Sequence, residues 1–281
     1  MMRTLRIALS LSLIALAACG EPDAPDRGPG AAATPDGQAY VADGTVLDDG
    51  EQVVLCLGVV LQSLPPQCSG LPITNWSWDD VADEEKAADT TWGSYRVTGT
   101  YDDEDFTVTE PPGPHEVPGD DPTDFSAPCD EPEGGWSAPD PSKTSDDARE
   151  ETMRAARREP DFAEAWIDYL EEASAEADAL DGNVILVMAF TGDLDRHETE
   201  VRSTWGGPLC LVQHERSYAE LKEIQRGLGD LGYDTLYSDI DVIDNVVEVG
   251  VVLATPELLR ALEGRYGPGA VEVHAALRPV E

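Results

Sequence analysis

The chain has 281 residues, with 57 acidic side chains against 18 basic ones and a formal charge of -39 at neutral pH. A field of that sign repels phosphate backbones, which argues against nucleic acid as a partner and reads most carboxylates as a solvated surface. Set apart from a leader and spacers, the length suffices for two small domains.

At the start of the chain, Arg3 and Arg6 flank the entry to an apolar run over residues 7–18. That run is too short for a permanent membrane span, and a basic start, a brief apolar stretch and small residues make a secretory signal. The signal ends in Leu16-Ala17-Ala18-Cys19, which resembles the lipobox of bacterial lipoproteins. The resemblance covers residues 1–19. It implies that the Cys19 thiol carries diacylglycerol, that the signal is cut before it, and that the lipid holds the chain on the extracytoplasmic face of the bacterial cell membrane. Residues 20–44 are acidic and rich in Pro, Gly and Ala. They cannot bury enough apolar surface to offset the entropy of ordering, so a flexible tether is expected there.

Residues 45–110 read as a small antiparallel β-barrel or sandwich, with an OB-like barrel among the forms it can take. The nearly unbroken apolar run over 53–61 suits a strand buried on both faces, and Pro65, Pro66 and Gly70 punctuate the turn after it. Thr74, Trp76 and Trp78 alternate with polar residues. So do Tyr95, Val97, Gly99 and Tyr101, and Phe106 and Val108 resume the pattern after the acidic turn at 102–105, as a hairpin requires. With Cys19 assigned to lipid, Cys56, Cys68, Cys129 and Cys210 remain, and an even number in an exported chain suggests two disulfides with three possible pairings. The Pro65-Pro66 turn favours Cys56 with Cys68, which leaves Cys129 for Cys210.

Residues 111–144 are proline-rich and read as an extended linker, part of which Cys129 and Trp136 should pin to a domain. A helical segment is expected over 145–180. Ser145 caps a first helix, and Pro160 opens a second that sets Phe162, Trp166, Tyr169 and Leu170 on one face. Residues 183–281 show the clearest periodicity. A buried strand over 184–190 leads to a helix carrying Leu194, Val201 and Trp205, and a strand over 209–212 to a helix carrying Tyr218, Leu221, Ile224 and Leu228. Strands at 236–240 and 246–253, a helix opened by Pro256 and a last strand through Val271, Val273 and Ala275 complete the chain. From Leu209 the order is β-α-β-β-α-β, the split βαβ of a ferredoxin-like α/β domain. The fold class expected is therefore α+β.

Two further resemblances lie in the mature chain. Tyr218-Ala219-Glu220-Leu221-Lys222-Glu223-Ile224-Gln225, Asn245-Val246-Val247-Glu248-Val249, Arg265-Tyr266-Gly267 and Val271-Glu272-Val273 look like part of the C-terminal half of α-lytic-type protease pro-regions. That likeness implies a foldase or inhibitor of a secreted serine protease. Cys56-Leu57-Gly58, Pro65-Pro66-Gln67-Cys68, Gly99-Thr100-Tyr101, Trp205-Gly206-Gly207-Pro208-Leu209-Cys210 and Leu277-Arg278-Pro279 are similar to features of a group of lipoproteins from high-GC Gram-positive bacteria. This second likeness implies architecture and location only.

Motifs for chemistry are missing from the sequence. It contains no Gly-x-Ser-x-Gly elbow, no Gly-x-x-x-x-Gly-Lys loop, no Gly-x-Gly-x-x-Gly and no His-Glu-x-x-His. His115, His197, His214 and His274 could meet Asp193 and Asp195 around a metal only if the fold brought them together. Asp239, Asp241 and Asp244 lack the glycine and distal Glu of a calcium loop and read as turn and edge residues. The sequence therefore predicts no catalytic, cofactor-binding or metal-binding residues. It predicts a cell-surface lipoprotein that binds a protein or cell-envelope partner, with the protease foldase or inhibitor as the alternative.

Overall fold

The computed structural model describes residues 37–116, 124–170 and 183–280. The lipobox with Cys19, most of the expected tether and residues 171–182 lie outside them. In chain order the elements are β1 (Ala39–Asp48), β2 (Val53–Cys56), β3 (Leu71–Thr74), β4 (Glu85–Ala87), β5 (Thr90–Tyr101), β6 (Phe106–Val108) and β7 (Gly113–Pro114). They continue with α1 (Asp146–Ala156), β8 (Phe162–Tyr169), β9 (Val184–Phe190), α2 (Leu194–Thr204), β10 (Leu209–Gln213) and α3 (Tyr218–Leu228). The last are β11 (Thr235–Asp241), β12 (Val246–Val251), α4 (Pro256–Tyr266), β13 (Val271–Ala275) and β14 (Arg278–Pro279).

The first unit is a closed five-stranded barrel. β1 pairs with β2 and, from Ala39↔Thr100 to Asp48↔Thr91, with β5; β2 pairs with β3, β3 with β6, and β6 with β5. The β3–β6 pair is parallel, which corrects the all-antiparallel expectation and gives the Greek-key order of an OB-like barrel. Inward residues of every strand, among them Tyr40, Val46, Leu55, Ile73, Val97 and Phe106, form one core. Closure needs a close approach at Gly99, where a Cβ would collide with the Thr107 carbonyl and the Phe106 ring. β1 starts at Ala39, so residues 39–44 are strand rather than tether. Tyr40 and Ala42 alternate into the core there, and β5 pairs with β1 along its whole length. At the other end, β7 adds Gly113 and Pro114 to the edge of β5.

The remainder is α/β, with pairings other than those expected. β9 is buried at all seven positions and takes β8 antiparallel on one edge and β10 parallel on the other. Residues 162–169 are thus a strand, not the predicted second helix. The spacing of Phe162, Trp166 and Tyr169 suits a helix, but β9 needs a hydrogen-bonded partner. The β8 bulge between Phe162 and Glu164 lets Phe162 and Ala165 pack on one face while Ala163 and Trp166 pack on the other. The first predicted helix does form as α1, with the Ser145 hydroxyl accepting the Ala148 N–H.

β11, β12 and β13 make a separate sheet, antiparallel then parallel. The expected β-α-β-β-α-β order from Leu209 is present, yet β10 is already paired with β9 and does not insert beside β12. The ferredoxin-like sheet is therefore not formed. What results is the same device twice: helix, antiparallel strand pair, crossover helix and parallel strand, first as α1-β8-β9-α2-β10 and then as α3-β11-β12-α4-β13.

α1 and α2 cover one face of the β8–β10 sheet around Trp205, whose indole N–H donates to the Pro208 carbonyl at 2.8 Å. Linker residues Ala127, Cys129 and Trp136 cover the other, fastened by the Cys129–Cys210 disulfide and by the Trp166 indole donating to the Phe125 carbonyl. α3 and α4 cover one face of the β11–β13 sheet through Leu221, Leu228, Leu258 and Leu262. The chain then returns to the barrel. Leu277 is fully buried in the barrel core and β14 pairs with β1 at Tyr40↔Pro279 and Val41↔Arg278. The last strand thus ties the α/β unit to the barrel.

Candidate binding cleft

That tie creates a cleft of about 810 Å³ between the outer wall of the barrel and the face of the β11–β13 sheet that carries no helix. Its barrel wall begins with a cross-strand pair, Asp43 on β1 opposite Arg96 on β5. The Asp43 side chain is only 4% exposed, and Arg96 donates to it from Nε at 3.1 Å and from Nη2 at 2.8 Å. Arg278 on β14 adds a second guanidinium at 2.8 Å, and the Glu116 backbone N–H donates at 2.8 Å. Arg96 also reaches the Glu116 carboxylate at 2.8 Å. Burial alone would push the Asp43 carboxyl up, but the bonds from Arg96, the Glu116 amide and Arg278 outweigh it and hold the pKa at about 2. Asp43 is a fixed anion rather than a proton carrier, and Arg96 is raised in turn, chiefly by its bond to Asp43.

The sheet wall is laid out by register. Tyr237 on β11, Gly250 on β12 and His274 on β13 stand in one row across the strands. A Cβ at Gly250 would run into the Tyr237 ring, so the glycine lets the ring lie across the sheet. Glu248 and Glu272 occupy the next row, and the His274 Nε2 lies 3.7 Å from Glu248 and 3.8 Å from Glu272. Burial, then Glu248, raises the Tyr237 phenol, which keeps it a neutral hydrogen-bond donor. Leu57, Leu236, Val273 and Ala275 supply apolar lining and His115 completes the rim. The cleft can therefore offer guanidinium, imidazole and phenol donors, carboxylate acceptors and an aliphatic surface.

The four histidines do not converge. His115 and His274 line this cleft, His214 follows β10 with its pKa lowered by burial, and His197 is on α2. Asp193 caps α2 by accepting the Arg196 N–H. Among the described residues no group of three or more His, Cys, Asp or Glu side chains is placed to hold a metal ion. Asp241 accepts the N–H groups of Ile243 and Asp244, and Asp102 those of Glu104 and Asp105, so both acidic stretches act as turns. The disulfides join Cys56 to Cys68 and Cys129 to Cys210, each with Cα atoms 5.8 Å apart. They assign the chain to an oxidising compartment outside the cytosol. Among the described residues no helix is long and apolar enough to cross a membrane.

A second polar cluster escaped the sequence. His197 is 1% exposed, stacked on Phe190 with ring centroids 3.6 Å apart, and pairs with Asp161 at 2.8 Å beside Arg196. Arg196 also binds Glu159 and Glu200. Burial alone would raise the Asp161 carboxyl, but it is lowered on balance, chiefly by its hydrogen bond with His197 and also by the Arg196 charge, and the cluster clamps α2 to the turn before β8. No sequence motif marks either cluster, because their members meet only through the fold. No known protein-family model matches this chain, and no curated protein matches it.

Proposed function

We propose that the protein is a lipid-anchored, extracytoplasmic binding protein whose ligand is taken between the barrel and the β11–β13 sheet. The observation that carries this reading is the cleft itself. The face of that sheet that carries no helix among the described residues presents Tyr237, His274, Glu248 and Glu272, and it looks across at the Asp43–Arg96–Arg278 cluster. Its donors and acceptors are mixed over an aliphatic lining, which fits a polypeptide segment of the cell envelope better than a polyanion, given the charge of the whole chain. Asp43 is held ionised and Tyr237 held protonated, and groups locked in one protonation state suit recognition better than proton transfer. The lipobox likeness at Cys19 and the oxidised cysteines support the location.

A photo-crosslinking residue in place of Tyr237, in the native cell, tests the reading. Adducts should form there and not from the same residue in place of Arg260, which is exposed on α4. Equal or absent labelling at both positions counts against the cleft. The stretches that resemble protease pro-regions fall on α3, β12, α4 and β13, of which β13 lines the cleft; a secreted serine protease as the adduct selects that alternative.

A further inference from the structure

The chain is 27% charged, yet residues 52–78 carry no charged side chain, and no other stretch of the sequence approaches that length without one. The Cys56–Cys68 disulfide closes a loop in the middle of this stretch. Within the loop the backbone is braced, Leu61 N–H donating to the Gln67 carbonyl and Ser63 N–H to the Leu61 carbonyl. Val60 and Cys68 turn inward against Val54, Cys56, Leu47 and Trp92 on the outside of the barrel. Val59, Leu61 and Leu64 turn outward and are 69%, 57% and 80% exposed. Three large aliphatic side chains are thus presented on a covalently closed loop, with their ordering cost met in the free protein.

The position of the loop matters as much as its chemistry. β2 runs antiparallel to β1, with Cys56 opposite Thr45 and Val53 opposite Asp48, so its last residue stands beside the middle of β1. Leu57 accordingly lines the cleft with Asp43, and beyond it the loop folds back over Leu47 and Trp92 on the outer wall of the barrel. Eighteen positions separate Cys19 from Gly37, a span of at most about 60 Å when extended.

We propose that the tip formed by Val59, Leu61 and Leu64 rests in the interfacial region of the lipid bilayer and orients the protein on it. The inference uses the lipid-anchor reading for proximity only. An acidic surface is repelled by anionic headgroups, so a neutral apolar surface within reach of the tether is the part that can approach them. Three aliphatic side chains bury too little area to hold a protein alone, but a tether makes their contact intramolecular, so even weak insertion fixes an orientation.

The test uses residues 20–281 with an N-terminal oligohistidine segment, held on vesicles of equimolar phosphatidylcholine and phosphatidylglycerol doped with a nickel-chelating lipid. Hydrogen exchange of residues 57–67 is compared with that of the same protein in solution. The tip should exchange several-fold more slowly on the vesicles, and a Leu61→Ser, Leu64→Ser variant should lose the slowing while remaining tethered. Unchanged exchange on vesicles overturns the proposal, as does slowing that needs a soluble cell-envelope protein fraction instead of lipid. Because the tether is supplied artificially, the result stands whether or not Cys19 of the cell-purified protein carries acyl chains, which mass spectrometry reads separately.

Discussion

Replacing Asp43 by Asn keeps the shape of the buried side chain and removes its charge. Asp43 falls from an ordinary 3.8 to about 2, which corresponds to about 2.4 kcal/mol of pH-linked stability. Its partners Arg96 and Arg278 are 30% and 43% exposed, so solvent screening reduces the expected cost of Asp43→Asn to about 1–2 kcal/mol. The folded carboxyl binds its proton less readily than the unfolded one. The stabilisation is therefore fully present above about pH 4 and is lost as pH falls through about 2. Urea denaturation of both proteins, followed by tryptophan fluorescence, reads the difference at neutral pH and at steps down the acid range. The variant should be less stable at neutral pH and should converge on the parent near pH 2. An undiminished difference in acid, or none at neutral pH, refutes the ionic account of the β1–β5–β14 junction.

Removing the Cys129–Cys210 bridge by Cys129→Ser and Cys210→Ser releases a loop with a sequence separation of 81, and should cost about 4–5 kcal/mol by loop entropy. Limited proteolysis should then cut first near residues 125–137. Leu277→Ala should cost about 2–5 kcal/mol in chemical denaturation because that side chain is fully buried in the barrel core, and should expose the C-terminal strand to carboxypeptidase. Gly99→Ala should cost about 1–3 kcal/mol by forcing β5 away from β6, read as a lowered melting temperature.

Legibility in the sequence followed the range of the interactions. β9 could be read because all seven of its residues are apolar. α3 could be read because Tyr218, Leu221, Ile224 and Leu228 recur at helical spacing, and in the structure Ser217 and Glu220 add a capping box at its start. The pairing of Cys56 with Cys68 rested on a short loop. The sequence reads β8 as a helix because Phe162, Trp166 and Tyr169 have helical spacing and the bulge after Phe162 breaks the strand alternation, so only the unsatisfied edge of β9 decides. The ferredoxin-like sheet failed for the same reason, since element order does not reveal that β10 is taken by β9. The cleft was invisible because Asp43 meets Arg96 across 53 residues and Arg278 across 235, in a chain where 57 acids give no carboxylate a distinguishing mark. The start of β1 hid because it directly follows a Pro-, Gly- and Ala-rich stretch, and only pairing with β5 shows that Tyr40 and Ala42 alternate into the core.

The account turns on whether a cell-envelope component occupies the cleft. Hydrogen exchange of the full protein, with and without its own detergent-solubilised envelope fraction, measures this directly. Slowed exchange is predicted at 236–237, 273–276 and 115–116, the segments that line the cleft. It should be lost in a Tyr237→Ala, His274→Ala variant that keeps the parent's stability. Protection confined to the helical faces of α1, α2 and α4, or protection that survives in the variant, contradicts it.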